Sequence, residues 1–491
     1  MRPLMQFLKE GEAMKKLSII NTIDIHARLF AAPGKAGLDY TSSCFPRDGN
    51  CLIIDGGDLL QGGPVGAFLS RYHEGANEAA RIMNRCGYHA ITLGNHDFNY
   101  GLEYLDGYLR ELDAICLCAN IKDKAGKLPI FDSRIFTMEN GLRIGLFGLC
   151  TPSLSGWERV ETLAELNIEP ILTAGHRAMK SLQGCCDMTV CIYHGGFQGY
   201  SEACDEHQAE LICRELKPDV LLTGHQHILE SGKLIGGTFA VQPGSFGEFY
   251  SHIEIEYEQQ TKINCSARLI PAPLMESEMA MNTAQEAFSL WEKEALCTLP
   301  DRVPVGDRVD AALNGSPLAE LINRMQLKLS GAQISAGCLA ASAVDLPARV
   351  CRGDVFRSYP NANRLCTIQC SGAVLRQAME WTACFLLRQG DGYVIAPEFL
   401  QPKARLFHYD FYMGIDYRFD FDLPRGERLV SLEYHGKKVE DSDLFTLCIT
   451  SYRYAGGDGY DMFRSCPLLW ADNVTIAERL ADYLEAKDTE I

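Results

Sequence analysis

Five short segments place side chains of metal-binding type directly after apolar runs. Asp24 and His26 follow the first run in NTIDIHARL, Asp58 the second in DGGDLLQGGP, and Asn95 and His96 the third in ITLGNHDFNYG. His194 follows a later run in CIYHGGF, and His225 and His227 another in LLTGHQH. A single segment of this kind carries little weight, because Asp-x-His arises by chance and an isolated histidine commonly satisfies a backbone carbonyl. Five in one chain, each opening into glycine-rich backbone that lets a ligand approach, make a joint pattern. The chemistry such donors support is that of bound cations, which polarise oxygen and activate water.

Those segments need a scaffold that gathers five strand ends. Apolar runs at 17–22, 51–55, 90–93, 143–148, 188–193 and 219–223 are short and end in Gly, Asn or Asp, as buried strands do. Stretches at 77–86 and 205–215 read as helices between them, so residues 14–270 are expected to form an α/β domain. In open α/β sheets ligands bind beyond the carboxyl ends of the strands, where all five motifs lie. Residues 274–297 contain no Gly or Pro and read as one long helix, the core of a helical linker at 271–300. Beyond it, 301–491 mixes strand-like runs at 364–370, 428–435 and 444–452 with helix-like runs at 373–389 and 475–486. This is the pattern of a separate α+β domain.

The 491 residues carry 46 basic and 64 acidic side chains, a formal charge of −18 at pH 7. That balance argues against long nucleic acid, whose phosphates are held by clustered Lys and Arg, but leaves room for a small phosphorylated molecule. A content of 47% hydrophobic and 22% charged residues excludes a disordered chain. The 20 cysteines include no Cys-x-x-Cys pair and mostly sit in apolar stretches, so they read as reduced thiols of a cytoplasmic protein. No run of about 18 apolar residues and no continuous apolar signal core is present, so neither a membrane partner nor an export signal is expected. A monomer is the default expectation.

The ordered set of strand-end motifs resembles the calcineurin-like metallophosphoesterase superfamily. The resemblance implies a four-layer αββα sandwich and two divalent metal ions bridged by one aspartate. Carried over residue by residue, Asp24, His26, Asp58 and His227 would hold one ion, and Asp58, Asn95, His194 and His225 the other. A mixed nitrogen and oxygen shell favours Mn, Zn, Co or Fe over Mg or Ca. Two such ions, about 3.5–4 Å apart, acidify water and clamp the oxygens of an in-line displacement at phosphorus. His96, next to a ligand but outside the ligand set, would donate a proton to the leaving oxygen, with Asn99 orienting it.

In the other half, SYRYAGGDGYDMF (451–463) resembles the Gly-Gly-Asp-Gly loop of the 5′-nucleotidase C-terminal domain, and LPARVCRGDVFRSYPNANRL (346–365) matches a second segment of it. In that domain an aromatic residue six positions before the Asp stacks on the base, which from Asp458 points to Tyr452. HYDFYMGIDYRFD (408–420) resembles the segment bearing the opposing ring, with Tyr409 as the aligned residue. The resemblance thus makes 301–491 a nucleoside-binding domain acting through Tyr409, Tyr452 and Asp458. The whole chain resembles the bifunctional 5′-nucleotidase/2′,3′-cyclic-nucleotide phosphodiesterase family. GNHDFNYGL, with Asn99 rather than a carboxylate three residues after His96, favours the cyclic-nucleotide branch. The phosphate-binding arginines of 5′-nucleotidases are missing from SAGCLAASAVDLPAR (335–349), leaving Arg349, Arg352, Arg357 and Arg364 as nearby substitutes. The expected activity is 2′,3′-cyclic-nucleotide 2′-phosphodiesterase/3′-nucleotidase. A 5′-nucleotidase or UDP-sugar hydrolase is the enzymatic alternative, and a non-catalytic nucleotide-binding protein the alternative from another class.

Overall fold

A computed structural model describes residues 14–73, 75–154, 158–198, 207–258, 262–276, 282–401 and 404–486. Residues 205–206 of one expected helix and 277–281 of another lie outside these.

The expected strands form, and they sort into two sheets. One runs in the order Lys262–Pro271, Phe249–Glu258, Lys15–Thr22, Cys51–Asp55, Ala90–Ile91, Ile115–Leu117, Ile130–Phe131. The other runs Leu229–Ile235, Thr238–Pro243, Val220–Thr223, Met188–His194, Arg143–Cys150, Ser133–Thr137. Side chains alternate across each strand, so both sheets have two apolar faces to cover. Leu17, Ile19, Leu52 and Ile54 meet Ile144, Val190, Ile192 and Leu222 between the sheets. On the outer face of the first sheet, Ile20, Ile53 and Ile91 pack with Ala80, Ile82 and Met83 of helix Glu78–Cys86. On the outer face of the second, Leu149, Cys191 and Leu221 pack with Ala174 and Ala178 of helix Ile171–Leu182. These are the four layers of an αββα sandwich.

Strands Lys15–Thr22, Cys51–Asp55 and Ala90–Ile91 are mutually parallel, as are Arg143–Cys150, Met188–His194 and Val220–Thr223. Their carboxyl ends therefore emerge at shared edges, which brings the five motifs together.

The second domain is built on a mixed sheet ordered Asp410–Met413, Ile334–Cys338, Leu444–Thr450, Arg364–Ser371, Leu468–Thr475. Helices Pro317–Ser330 and Ile476–Glu485 contribute to one apolar cluster around it and helix Gly372–Ala383 to another.

The long helix expected over 274–297 is corrected to Thr283–Glu292. Asn282 caps it, its side chain accepting from the Gln285 N–H while Gln285 reaches back to the Asn282 N–H. Ala295–Thr298 leaves the helix altogether and pairs with Arg349–Cys351. Trp291 packs at 5.2–5.5 Å from Phe68 and Tyr72 of the first domain and 5.2 Å from Phe356 of the second, so the segment is a packed wedge between the domains. Among the described residues no helix is long and apolar enough to cross a membrane, and no cysteine is in a disulfide.

Candidate metal centre

Asp24, His26, Asp58, His225 and His227 all adopt positive φ, between 47° and 71°. Residues with side chains seldom take this left-handed conformation, although Asp and His tolerate it better than most. Here it turns the chain sharply straight after a strand. The turns are latched to one another, the Asp24 N–H donating to the Gly57 carbonyl and the His26 N–H to that of Asp58, both at 2.9 Å. Asp97 completes the frame by accepting from the N–H groups of Asp58, Leu59, Leu60 and Gly94 at 2.8–3.0 Å. Gly94 must stay glycine, because a Cβ there would fall on the Asp58 carboxylate.

Asp24, His26 and His227 form one cluster and Asp58, His194 and His225 a second; in each, the possible ligand atoms lie within 4.8 Å of one another. His26 Nδ1 sits 3.0 Å from the Gln61 carbonyl, and His194 Nδ1 sits 2.9 Å from that of Gly56. A carbonyl only accepts, so both Nδ1 atoms carry hydrogen and both Nε2 atoms face the site, where each would bind a cation once free of any proton. Asp58 Oδ1 accepts from the His96 N–H at 2.7 Å, leaving Oδ2 between the clusters, 3.2 Å from His194 Nε2 and 3.9 Å from His26 Nε2. That is where a bridging carboxylate belongs. Asp24 Oδ2 accepts from the His225 N–H at 2.7 Å, whereas Asp24 Oδ1 and both polar atoms of the Asn95 side chain are buried without a hydrogen bond. Buried polar atoms left unpaired are costly, and their convergence here fits a site whose partners are cations.

The charges agree. Burial alone would raise the Asp24 and Asp58 carboxyls, but His227 and His194 hold Asp24 well below the usual range, and His194, His96 and His26 do the same for Asp58. Burial would lower His194, yet Asp58 and Asp24 push it up to about 10. Binding of a dication there would displace that proton. His96 is brought down to about 4, chiefly by burial, and its Nδ1 lies 2.8 Å from Asn99 Oδ1.

A model of the calcineurin-like phosphoesterase family matches residues 23–229, and one of the 5′-nucleotidase C-terminal domain matches residues 301–465. The chain joins a calcineurin-like phosphoesterase domain to a 5′-nucleotidase C-terminal domain. It is 23% identical to a 2′,3′-cyclic-nucleotide 2′-phosphodiesterase/3′-nucleotidase of Salmonella typhimurium, over 90% of this chain and 81% of that one. It is 22% identical to a trifunctional nucleotide phosphoesterase protein of Bacillus subtilis over 96% of its own length, but spans only 38% of that relative. Among solved structures, a Staphylococcus aureus protein described as a 5′-nucleotidase, in complex with alpha-ketoglutarate, superposes with a TM-score of 0.88 at 25% identity, covering 96% of this chain and 97% of that one. The phosphoesterase family implies divalent metal ions, and the two clusters are their candidate ligands.

In the 5′-nucleotidase C-terminal domain the sequence-based expectations need correction. Tyr409 is buried, packs against Phe385 and Phe411, and donates its hydroxyl to the Ala312 carbonyl at 2.9 Å, so it is a core residue with no free face. The ring found beside Tyr452 is that of Phe407, 6.1 Å away and half-buried. Tyr452 itself is half-buried and lies across Gly457, where a Cβ would strike its ring. Asp458 is also withdrawn, its side chain 1% exposed: Oδ1 accepts from Arg405 at 2.6 Å and Oδ2 from His408 Nδ1 at 2.7 Å. It braces the loop rather than presenting an acceptor. Of the candidate arginines, Arg352 is paired with Glu294 and Arg357 with Glu292 and Asp354. Buried Arg364 instead donates to the Asn99 carbonyl at 3.1 Å, across the domain boundary. Asp97, within the GNHD motif, and Phe407, one residue before the HYDFYM segment, have no sequence signal that sets them apart from their neighbours.

Proposed function

We propose that this protein hydrolyses nucleotide phosphoesters at a centre of two divalent ions, with 2′,3′-cyclic nucleotides and then 3′-nucleotides as its substrates. The observation that carries the reading is Asp58 Oδ2, held between two clusters that also bury unpaired polar atoms of Asp24 and Asn95. Asp24, His26, Asp58 and His227 would hold one ion, and Asp58, Asn95, His194 and His225 the other, with Mn, Zn, Co or Fe the suited metals. Bound there, the pair would acidify a water and neutralise the phosphoryl oxygens. The chain's own part is to hold His96, fixed through its N–H to Asp58 and through Nδ1 to Asn99, so that Nε2 would be the atom serving the leaving oxygen. An anionic phosphoryl group beside His96 would raise its proton affinity from the low value that burial imposes.

The nucleoside would stack on Tyr452, whose ring meets that of Phe407 edge to face at 6.1 Å and 75°, because a ring face accepts any base. The many buried thiols support a reducing, cytoplasmic setting, which cell fractionation would check. The deciding assay compares product release from 2′,3′-cyclic AMP, 3′-AMP, 5′-AMP and a UDP-sugar under defined metals, with Asn95→Ala as control. Fastest turnover of the cyclic ester is expected, and preference for 5′-AMP would replace the assignment by that of a 5′-nucleotidase.

A further inference from the structure

One aromatic side chain at the metal edge is held at a conformational cost. Phe246 has φ of +57°, a left-handed conformation that a bulky residue seldom takes, and it stands between Gly244 and Gly247, both also at positive φ. Its N–H donates to the Asp24 carbonyl at 2.7 Å, which ties this turn to the first ligand turn. The ring centroid lies 5.3 Å from those of both His26 and His227, the two imidazoles of one cluster, yet the residue is 36% exposed. A phenylalanine serving only as core would be buried, and a relaxed turn here would carry glycine. Backbone strain of this kind gathers where ligands are handled.

Over that ring lies Arg28, two residues after His26, its Cζ 5.8 Å from the centroid. Arg28 is exposed, and among the described residues its guanidinium makes no hydrogen bond and no ion pair. Three of the four second-domain arginines near the missing phosphate-binding positions are already engaged, Arg352 and Arg357 by carboxylates and Arg364 by the Asn99 carbonyl. A ring face holds a guanidinium without neutralising it, so the charge and the N–H donors of Arg28 remain for an oxyanion.

The charge of the ester decides which substrate needs such a cation. A cyclic phosphodiester carries a single negative charge near neutrality, whereas a phosphate monoester carries about 1.5 to 2. We infer that Arg28, laid over Phe246, is a substrate-binding residue of the metal edge that takes the additional charge of a phosphate monoester. It is thereby a specificity determinant between the two ester classes, and this rests on the two-ion centre of the proposed function. The cyclic ester needs Arg28 least, and the 3′-monoester left by its opening needs it most.

The test uses metal-loaded full-length protein, with 2′,3′-cyclic AMP and 3′-AMP as esters and inorganic phosphate as a binding probe. On 3′-AMP, Arg28→Ala should lose about ten- to hundredfold in kcat/KM, mainly through KM, and on the cyclic ester no more than about threefold. In calorimetry its affinity for phosphate should fall by about ten- to hundredfold as well. Arg28→Lys, a compact charge without the planar fork, should recover part of the loss in both readouts. Phe246→Ala should weaken phosphate binding by about two- to fivefold, and should have no effect on it once Arg28 is alanine, because the ring acts by holding the cation. Phe246→Leu gives the same comparison should the alanine variant fold poorly. Equal losses on the two esters, unchanged phosphate binding in Arg28→Ala, or a Phe246 effect that persists without Arg28 would overturn the inference. A wild type inert towards every ester overturns the proposed function, and the phosphate titration then still decides whether Arg28 binds the anion.

Discussion

The metal edge of the first domain and the Gly-Gly-Asp-Gly loop of the second are both dense with buried charge, yet they are built in opposite ways. At the metal edge, Asp24 Oδ1 and the whole Asn95 carboxamide face inward with no hydrogen bond, and His26 Nε2 lies 3.1 Å from His227 Nε2, so two imidazoles converge on the same point. Around Asp458 every charge is answered from within. Arg453, fully buried, grips Asp410 through Nε and Nη2 and the carbonyls of Phe407 and His408 through Nη2, while Arg405 and His408 close on Asp458. A polar cluster that closes on itself is scaffolding, and one that leaves donors and acceptors open is a site.

That contrast can be broken by substitution. The largest effect should come from Arg453→Met, which strands Asp410 in the core and should cost about 3–5 kcal/mol of stability, read by thermal or denaturant unfolding. A variant that stays as stable as wild type would show that the network is not scaffolding. Next, Asn95→Ala should lower phosphoester turnover by at least about a hundredfold while sparing nucleotide binding, measured by tyrosine fluorescence or calorimetry. Tyr452→Ala should then weaken nucleotide binding by about 1–3 kcal/mol, seen in KM, with little change in kcat. By contrast Tyr409→Phe, which loses only the bond to Ala312, should cost about 1 kcal/mol of stability and leave KM unchanged. A KM shift in that variant would return Tyr409 to the binding site.

The smallest effect concerns pH. Burial would raise Asp458, but His408, Arg453 and Arg405 keep its carboxyl below the ordinary range. A carboxyl depressed by folding stabilises the native state above its unfolded value, near about 4, and that contribution is lost as pH falls through the folded value. Asp458→Asn should therefore flatten the dependence of unfolding free energy on pH in that acid window and leave its slope near neutrality unchanged.

The first domain was legible because parallel strands write their ends into the sequence: an apolar run, then a metal-type donor, with glycines just before Asp58, Asn95 and His225 and just after His194. Its layers followed from the alternation of strands and helices. The second domain was harder for a stated reason. In HYDFYM every residue is buried or half-buried, so no alternation of polar and apolar marks which aromatic ring is turned outward. The helix over 274–297 failed because absence of Gly and Pro permits a helix without requiring one, and the pairing of Ala295–Thr298 with Arg349–Cys351 is a long-range event.

Five candidate ligand residues held in left-handed backbone have a consequence for the protein as a material. Each such residue costs about 1–2 kcal/mol relative to a relaxed turn, and the unpaired atoms beside them add to that load. The ions that answer those atoms would bind the folded chain and not the unfolded one, so occupancy and folding are thermodynamically linked. Stripping the metal with a chelator would then yield a softer protein as well as an idle one. Its ligand turns should open to proteases earlier, so susceptibility to cleavage becomes a gauge of metal content that needs no substrate.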